Sequence, residues 1–504
     1  MENIGFKNFR RFKYLEPLDL GEITFMVGRN NAGKSTLVKA ILLIIDYIKN
    51  RQAGIFRFDG NVLNEANVVS FKRTLCQQAD NDSIEFYFRI RNFDCILVVT
   101  GNENDTVAKV VSLSLQSSIK GIELSFNFTG RTLVTINREF DDDYEEDESL
   151  KTANKELIFL QQELSTIDQK TDLRNWLSKN DEITALQKRI SGYKRINPVS
   201  TKDYSISYSL SHSGSEIASL DELLNQVYRL NRVRKNDNKT PRTELAAIRS
   251  LLNDEATIAN ELDVFLYHVN RMNLTYFGAD SQKQTALLSI KDKSNSLAQA
   301  VHNFYQLKLS SNHEKDKKVI DFVQYWMDQF EIGKDYEIIS YEGEAYQLLI
   351  KDEVDNPKLK INIADKGMGS IQAMKLILQL ASVIHNEENG HTERLIIIEE
   401  PEINLHPSLQ SKLAKLVYEV NYQYAIRFLI ETHSEYILRK SQLLVKELNS
   451  NDDKKEQPFT VYYFDKEKGP YQMNYRQDGI FQENFGTGFF DVASQHAVQL
   501  LKRR

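Results

Sequence analysis

The stretch Gly28-Arg29-Asn30-Asn31-Ala32-Gly33-Lys34-Ser35-Thr36 sets glycines, a lysine and hydroxyl residues at the spacing G-x-x-x-x-G-K-[ST], a combination that binds phosphate. Gly28 and Gly33 let the backbone wrap closely round an anion. Lys34 would reach the β- and γ-phosphates of a nucleotide, and the Ser35 hydroxyl would take one coordination position on Mg²⁺. Carboxylates follow far downstream. The apolar run Leu395-Ile396-Ile397-Ile398 ends in Glu399-Glu400-Pro401-Glu402, and two adjacent acids there are costly unless a cation or hydrogen bonds compensate them. Glu399 is therefore assigned to the metal or its water, and Glu400 to orienting and polarising an attacking water. A second apolar run, Ala425 to Glu431, ends at Thr432-His433-Ser434, which places His433 to sense the γ-phosphate. Asp365-Lys366-Gly367-Met368-Gly369-Ser370 opens a helix and reads either as a second anion site, at Gly369 and Ser370, or as a helix cap.

The elements that must hold these residues are legible from periodicity. Ile23 to Val27 predicts a strand running into the phosphate loop, and Leu37, Ile41, Ile44 and Ile48 predict a helix leaving it. A strand of continuous Leu395 to Ile398 type is buried on both faces of a parallel sheet, and carboxylates at its C-terminal end lie beside the phosphate loop. Some 365 residues separate Lys34 from Glu400, so one nucleotide core must be split by whatever lies between. Short β-rich runs from Ile84 to Ile136, punctuated by Gly101, Gly121 and Gly130, predict an antiparallel sheet. Tyr204 to Leu210 alternates like one more strand, and Tyr336 to Lys351 reads as paired strands.

Between these lie polar segments. Glu139 to Glu148 carries eight carboxylates in ten positions, a solvated boundary loop or a docking surface for a basic partner. Ser149 to Arg195 has leucines and isoleucines at spacings of three, four and seven with slips, which predicts a short helical arm or coiled-coil-like hairpin. Residues 215–330 are expected to be mostly helical. They contain Arg229, Arg232, Arg234, Lys235, Lys239, Arg242 and Arg249, a solvated linker or a patch for nucleic acid. The expected division is an N-terminal lobe at 1–138, a helical insertion at 139–330 and a C-terminal lobe at 331–504.

Composition narrows the function. A net charge of −7 and pI near 5.9 give no global basic field for capturing nucleic acid. Two cysteines, Cys76 and Cys95, exclude a disulfide framework and a cysteine-rich zinc site, and both read as small core residues. No signal region opens the chain and no uncharged apolar run approaches membrane-spanning length, so a soluble cytoplasmic protein is expected, with no membrane partner.

Asn8-Phe9-Arg10, the phosphate loop, Gly367-Met368-Gly369-Ser370, Ile398-Glu399-Glu400-Pro401-Glu402 with Leu405-His406-Pro407, and Thr432-His433-Ser434 together resemble the ABC-type ATPases of the SMC and RecF kind. The resemblance covers the two outer thirds of the chain. It points to the bacterial branch with OLD-family proteins and the ATPase subunits of anti-phage systems, Septu first and PARIS next. It implies an α/β ATPase head that uses ATP and Mg²⁺ and dimerises through nucleotide. Lys34, Ser35, Glu399, Glu400 and His433 would then act in one subunit, and Ser370 in the other. Two departures stand out: the signature is Asp-Lys-Gly-Met-Gly-Ser rather than Leu-Ser-Gly-Gly-Gln, and only Gln77 and Gln78 lie near the expected Q-loop. OLD-family relatives continue into a Toprim nuclease of a size that the stretch after His433 does not hold. The expectation is a slow, regulatory ATPase that scaffolds a separate nuclease, possible higher oligomers included. The competing reading is a RecF- or SMC-like clamp on DNA through Arg229 to Arg249. A transporter subunit fits less well, because those heads lack so long an insertion.

Overall fold

The computed structural model describes residues 1–49, 53–59, 70–102, 105–117, 122–129, 133–138, 160, 179, 182–184, 204–209, 264–279, 285–352, 359–386, 393–450, 457–486 and 489–501. The acidic run 139–148, nearly all of the expected arm, and the basic residues Arg229 to Arg249 lie outside the described residues.

The site is built on a six-stranded sheet. Its order is β11 (Met272–Phe277), β16 (Glu393–Glu399), β17 (Arg427–Glu431), β3 (Ile23–Gly28), β18 (Phe459–Asp465), β19 (Gly469–Gln472). All neighbours are parallel except β18 and β19. Because a strand alternates its side chains, each inner strand feeds two cores. Met26, Ile397, Leu429 and Phe464 face one core, while Phe25, Ile396, Ile398, Ile430 and Tyr463 face the other.

The first core is closed by α1 (Lys34–Lys49) and by a large antiparallel sheet. That sheet contains β1 (Asn3–Phe9), β2 (Phe12–Asp19), β5 (Ser83–Ile90), β6 (Phe93–Thr100), β7 (Val107–Ser117), β8 (Ile122–Asn127), β9 (Leu133–Arg138) and β10 (Tyr204–Ser209), with β4 (Ile55–Arg57) on β7. The strict alternation of buried and half-buried positions in β5 is why these strands were legible. Twelve residues of α1 are buried, since the helix is covered on both sides.

The second core is covered by helices: α2 (Ser296–Gln306), α3 (Glu314–Gln329), α4 (Met368–His385), α5 (Pro407–Tyr424) and α6 (Glu435–Ser450). A small sheet of β12 (Leu288–Ser289), β13 (Asp335–Tyr341), β14 (Ala345–Lys351) and β15 (Lys360–Asn362) joins them, and α7 (Val492–Leu501) follows. β11 is a finding that the expectation of a mostly helical 215–330 does not contain. It pairs in register with β16, from Met272 on Glu393 to Phe277 on Ile398, so a segment between the motifs supplies the sheet edge. Its six residues are too few to show a period, and α2 and α3 nearby do carry the helical pattern.

The sheet's two distant halves are also fastened at their base. The Arg427 guanidinium donates to the carbonyls of Met1 (2.9 Å), Gly21 (3.2 Å) and Leu20.

Candidate active site

The phosphate loop is shaped by contacts that only glycine permits. Gly28 has φ +144°, and a Cβ there would lie 2.5 Å from the Phe464 carbonyl oxygen. Gly33 has φ +111° and rests on the Phe12 ring, 2.4 Å from where its Cβ would be. Asn31 adopts φ +60° between them, and α1 begins at Lys34.

The Lys34 side chain is 3% exposed. Its Nζ donates to the carbonyls of Gly28 (3.0 Å) and Arg29 (3.2 Å) and lies 3.7 Å from Glu431 Oε1. Burial lowers the lysine pKa, and the Glu431, Glu400 and Glu402 carboxylates oppose that. The Ser35 hydroxyl meets both oxygens of Glu431, at 3.1 and 2.9 Å.

Glu431 ends β17, which lies directly between β16 and β3. The sequence marks it as a strand residue without a role, yet its carboxylate accepts from Ser35 of the loop. The signal was available, because Phe428-Leu429-Ile430-Glu431 is the same apolar-run-then-acid pattern that singled out Glu399 and Glu400.

Glu399 ends β16, with the Tyr276 hydroxyl and Ala279 backbone acting on it while Oε1 finds no partner. Burial raises its pKa. Glu400 turns into the left-handed region at φ +46°, and its N–H donates to the Glu431 carbonyl at 2.8 Å, locking the ends of β16 and β17 together. Its Oε1 stands 3.6 Å from His433 Nε2. Burial, with Lys34 nearby, pushes the His433 pKa down to about 4, so the ring is neutral at pH 7 and this approach is no ion pair. The His433 N–H donates to Glu402 Oε1 at 2.6 Å.

A cavity of about 970 Å³ opens over the loop. Asn31 to Thr36 line it together with Arg10, Arg11, Lys39, Lys72, Arg73, Gln77, Gln78 and Glu431. This volume and cationic lining fit a nucleoside triphosphate. The oxygen donors of Ser35 and Glu431, beside the unpartnered Glu399 Oε1, fit Mg²⁺.

Glu399, Glu400, His433 and Ser370 are not among the residues lining that cavity. α4 begins at Met368 after Gly367, whose backbone caps without a side-chain hydrogen bond and whose Cβ position faces open space. Gly369 serves packing: a Cβ there would lie 2.7 Å from the Asn404 carbonyl oxygen, so the glycine seats α4 on the turn that follows Glu402. Cys76 and Cys95 are both buried, and burial pushes the Cys95 thiol pKa up.

Glu431 titrates with a measurable sign. Burial, with Glu399 and Glu400 adding to it and Lys34 and Ser35 opposing, raises its pKa from 4.5 to about 7. The folded protein therefore holds a proton that the unfolded chain has released between those values. Glu431 favours folding fully below pH 4.5, and that contribution is lost as pH rises through 7. For the nucleotide-free, chelated protein, the stability of wild type relative to Glu431→Gln falls by on the order of 3 kcal/mol between pH 4.5 and pH 8. Urea denaturation of both proteins across that range checks it, and His433, whose lowered pKa acts in the opposite direction, cancels in the comparison.

The sequence matches the AAA ATPase domain family over residues 1–438. Among solved structures, the chain is similar to an Smc head domain with an extended coiled coil, bound to the C-terminal domain of ScpA, from Pyrococcus furiosus. That likeness has 11% identity, 99% of both chains covered and a TM-score of 0.35. It is also similar to an Smc head bound to the C-winged helix domain of ScpA, at 10% identity, 95% of both chains covered and a TM-score of 0.32. No curated protein matches the sequence. No helix among the described residues is long and apolar enough to cross a membrane.

Proposed function

The chain belongs to the AAA ATPase domain family, and from that premise we propose that it is an ABC-type ATPase that pairs through ATP and governs a separate nuclease in anti-phage defence. The observation that carries the ATPase part is the meeting of Lys34, Ser35, Glu431, Glu400 and His433 at the C-terminal ends of three adjacent strands. Lys34, released from the carbonyls of Gly28 and Arg29, binds the β- and γ-phosphates, with the loop amides from Gly28 to Thr36 around them. Ser35 and Glu431 would hold Mg²⁺, with Glu399 behind them, and the cation would supply charge neutralisation at the phosphates. Glu400 takes the proton of the attacking water, and the neutral His433 ring holds the γ-phosphate. By the family resemblance, Ser370 reaches the nucleotide of a second copy.

The defence role rests on the sequence resemblance and on the separation of the motifs by a long middle segment. Its test is affinity purification of the tagged chain expressed from its native operon. A nuclease recovered in stoichiometric amount is the expected result. Repeated recovery of the chain alone would overturn the effector part and leave the ATPase part standing.

A further inference from the structure

Glu402 is a buried carboxylate, 9% exposed, to which the nucleotide chemistry above gives no task. Burial pushes its pKa up, and the amides of His433 and of Glu402 itself, with the Thr432 hydroxyl, oppose that. A buried acid is costly unless hydrogen bonds compensate it. Here the compensation comes from the loop that carries the histidine: Glu402 Oε1 accepts from the His433 N–H at 2.6 Å, across 31 positions of sequence.

The His433 ring is not held by Glu400, since 3.6 Å between Nε2 and Oε1 is too long for a hydrogen bond. Its place depends on where the main chain of residues 432–434 is fastened. The Thr432 N–H donates to the Met26 carbonyl on β3 at 3.0 Å. One residue on, the hold is Glu402. Ser434 Oγ then donates to Gln410 Oε1 at 2.6 Å, and Gln410 Nε2 donates to the Leu405 carbonyl at 3.0 Å, a second bridge to the chain around Glu402. The turn 401–404 that carries Glu402 is itself fixed. The Ile403 N–H donates to the Glu400 carbonyl (3.2 Å), the Leu405 N–H to the Glu402 carbonyl (3.0 Å), and the Asn404 carbonyl is seated on Gly369 at the start of α4.

From these contacts we infer that Glu402 is a positioning residue for His433: its carboxylate tethers the histidine's main chain and so sets where the imidazole stands. The role of that imidazole rests on the ATPase reading, whereas the tether follows from the contacts alone. Through one turn His433 is placed relative to α4 as well as to β3, the strand that leads into the phosphate loop. A misplacement of about 1 Å in a group that acts on the reacting atoms costs up to about a hundredfold in rate. Loss of the tether should therefore lower kcat and leave ATP binding nearly intact, because Lys34 and the loop amides make their contacts without it. Glu402 also acts on Lys34 through its charge. Glutamine removes that charge as fully as methionine does, so comparing the two substitutions isolates the hydrogen bond.

The test uses the full chain carrying Glu402→Met, which has no acceptor oxygen, and Glu402→Gln, which keeps one. Glu402→Met is expected to lower kcat about 10- to 100-fold with KM for ATP within about threefold of wild type, and Glu402→Gln to restore kcat to within about threefold. In a His433→Ala background Glu402→Met should add no further loss, since both changes act through one ring. A second readout needs no turnover. In chain labelled with ¹⁵N-histidine, whose nine histidines give few signals, the His433 amide is the signal missing from His433→Ala. Its exchange with D₂O should be at least about tenfold faster in Glu402→Met than in wild type or Glu402→Gln. Thermal melting confirms folding, and Glu402→Ala serves the same comparison should Glu402→Met not fold. Unchanged amide exchange in a folded Glu402→Met would overturn the inference. So would an undiminished kcat, equal losses in Glu402→Met and Glu402→Gln, or a full further loss on top of His433→Ala. A wild type that hydrolyses no ATP while the amide responds as expected sinks the ATPase reading and leaves the tether standing.

Discussion

Replacing Glu400 with glutamine slows ATP hydrolysis by about 10²- to 10⁴-fold while ATP binding persists. The expectation follows from how the residue is held. The main chain at Glu400 is fixed by φ +46° and by the 2.8 Å hydrogen bond from its N–H to the Glu431 carbonyl, both independent of the side chain. Glutamine therefore keeps the shape of the strand end. What it loses is the capacity to take a proton from water. The Glu400 side chain is about a third exposed beside His433, so it meets solvent water rather than the core. Phosphate release under saturating ATP and Mg²⁺ measures the rate, and equilibrium binding of a fluorescent ATP measures what is retained. An equal fall in both would mean that Glu400 holds nucleotide or metal and is no base.

Lys34→Ala has the second large effect, a loss of about a hundredfold or more in ATP affinity. Removing one partner of a buried charge contact costs on the order of 2–5 kcal/mol, and here the triphosphate would face Glu431, Glu400 and Glu402 with no ammonium among them. Lys39→Ala is the control. Lys39 lines the same cavity from the second turn of α1 and is half-buried, so it adds to the general positive field without belonging to the loop. Isothermal titration of both variants should show a deep loss for Lys34 and a shallow, salt-sensitive one for Lys39. Equal losses would reduce the loop to an electrostatic patch.

Much of this site could be read from the sequence because its parts are local. The phosphate loop is nine consecutive residues whose glycines have positive φ or close contacts, and the strand before it and helix after it carry their own periodicities. The antiparallel sheet was legible for the same reason, in the alternation of β5 and the strands after it. What escaped depends on contacts between remote residues. Ser35 and Glu431 are 396 positions apart, and the apolar run that ends in Glu431 does not say which residue its carboxylate meets. Gly369 reads as part of an anion site, and its missing Cβ also makes room for the Asn404 carbonyl, a contact that no spacing rule contains. β11 escaped because six residues amid helices and polar segments carry too little pattern to announce a place in a parallel sheet.

We propose that a second copy of the chain completes the nucleotide site, with Ser370 reaching across. The most direct test is the assembly mass of Glu400→Gln with and without ATP and Mg²⁺, beside Lys34→Ala and the double variant Glu400→Gln with Ser370→Arg. An ATP-dependent doubling of mass is expected for Glu400→Gln alone. Identical masses in all samples, with ATP shown to be bound to Glu400→Gln, would contradict it.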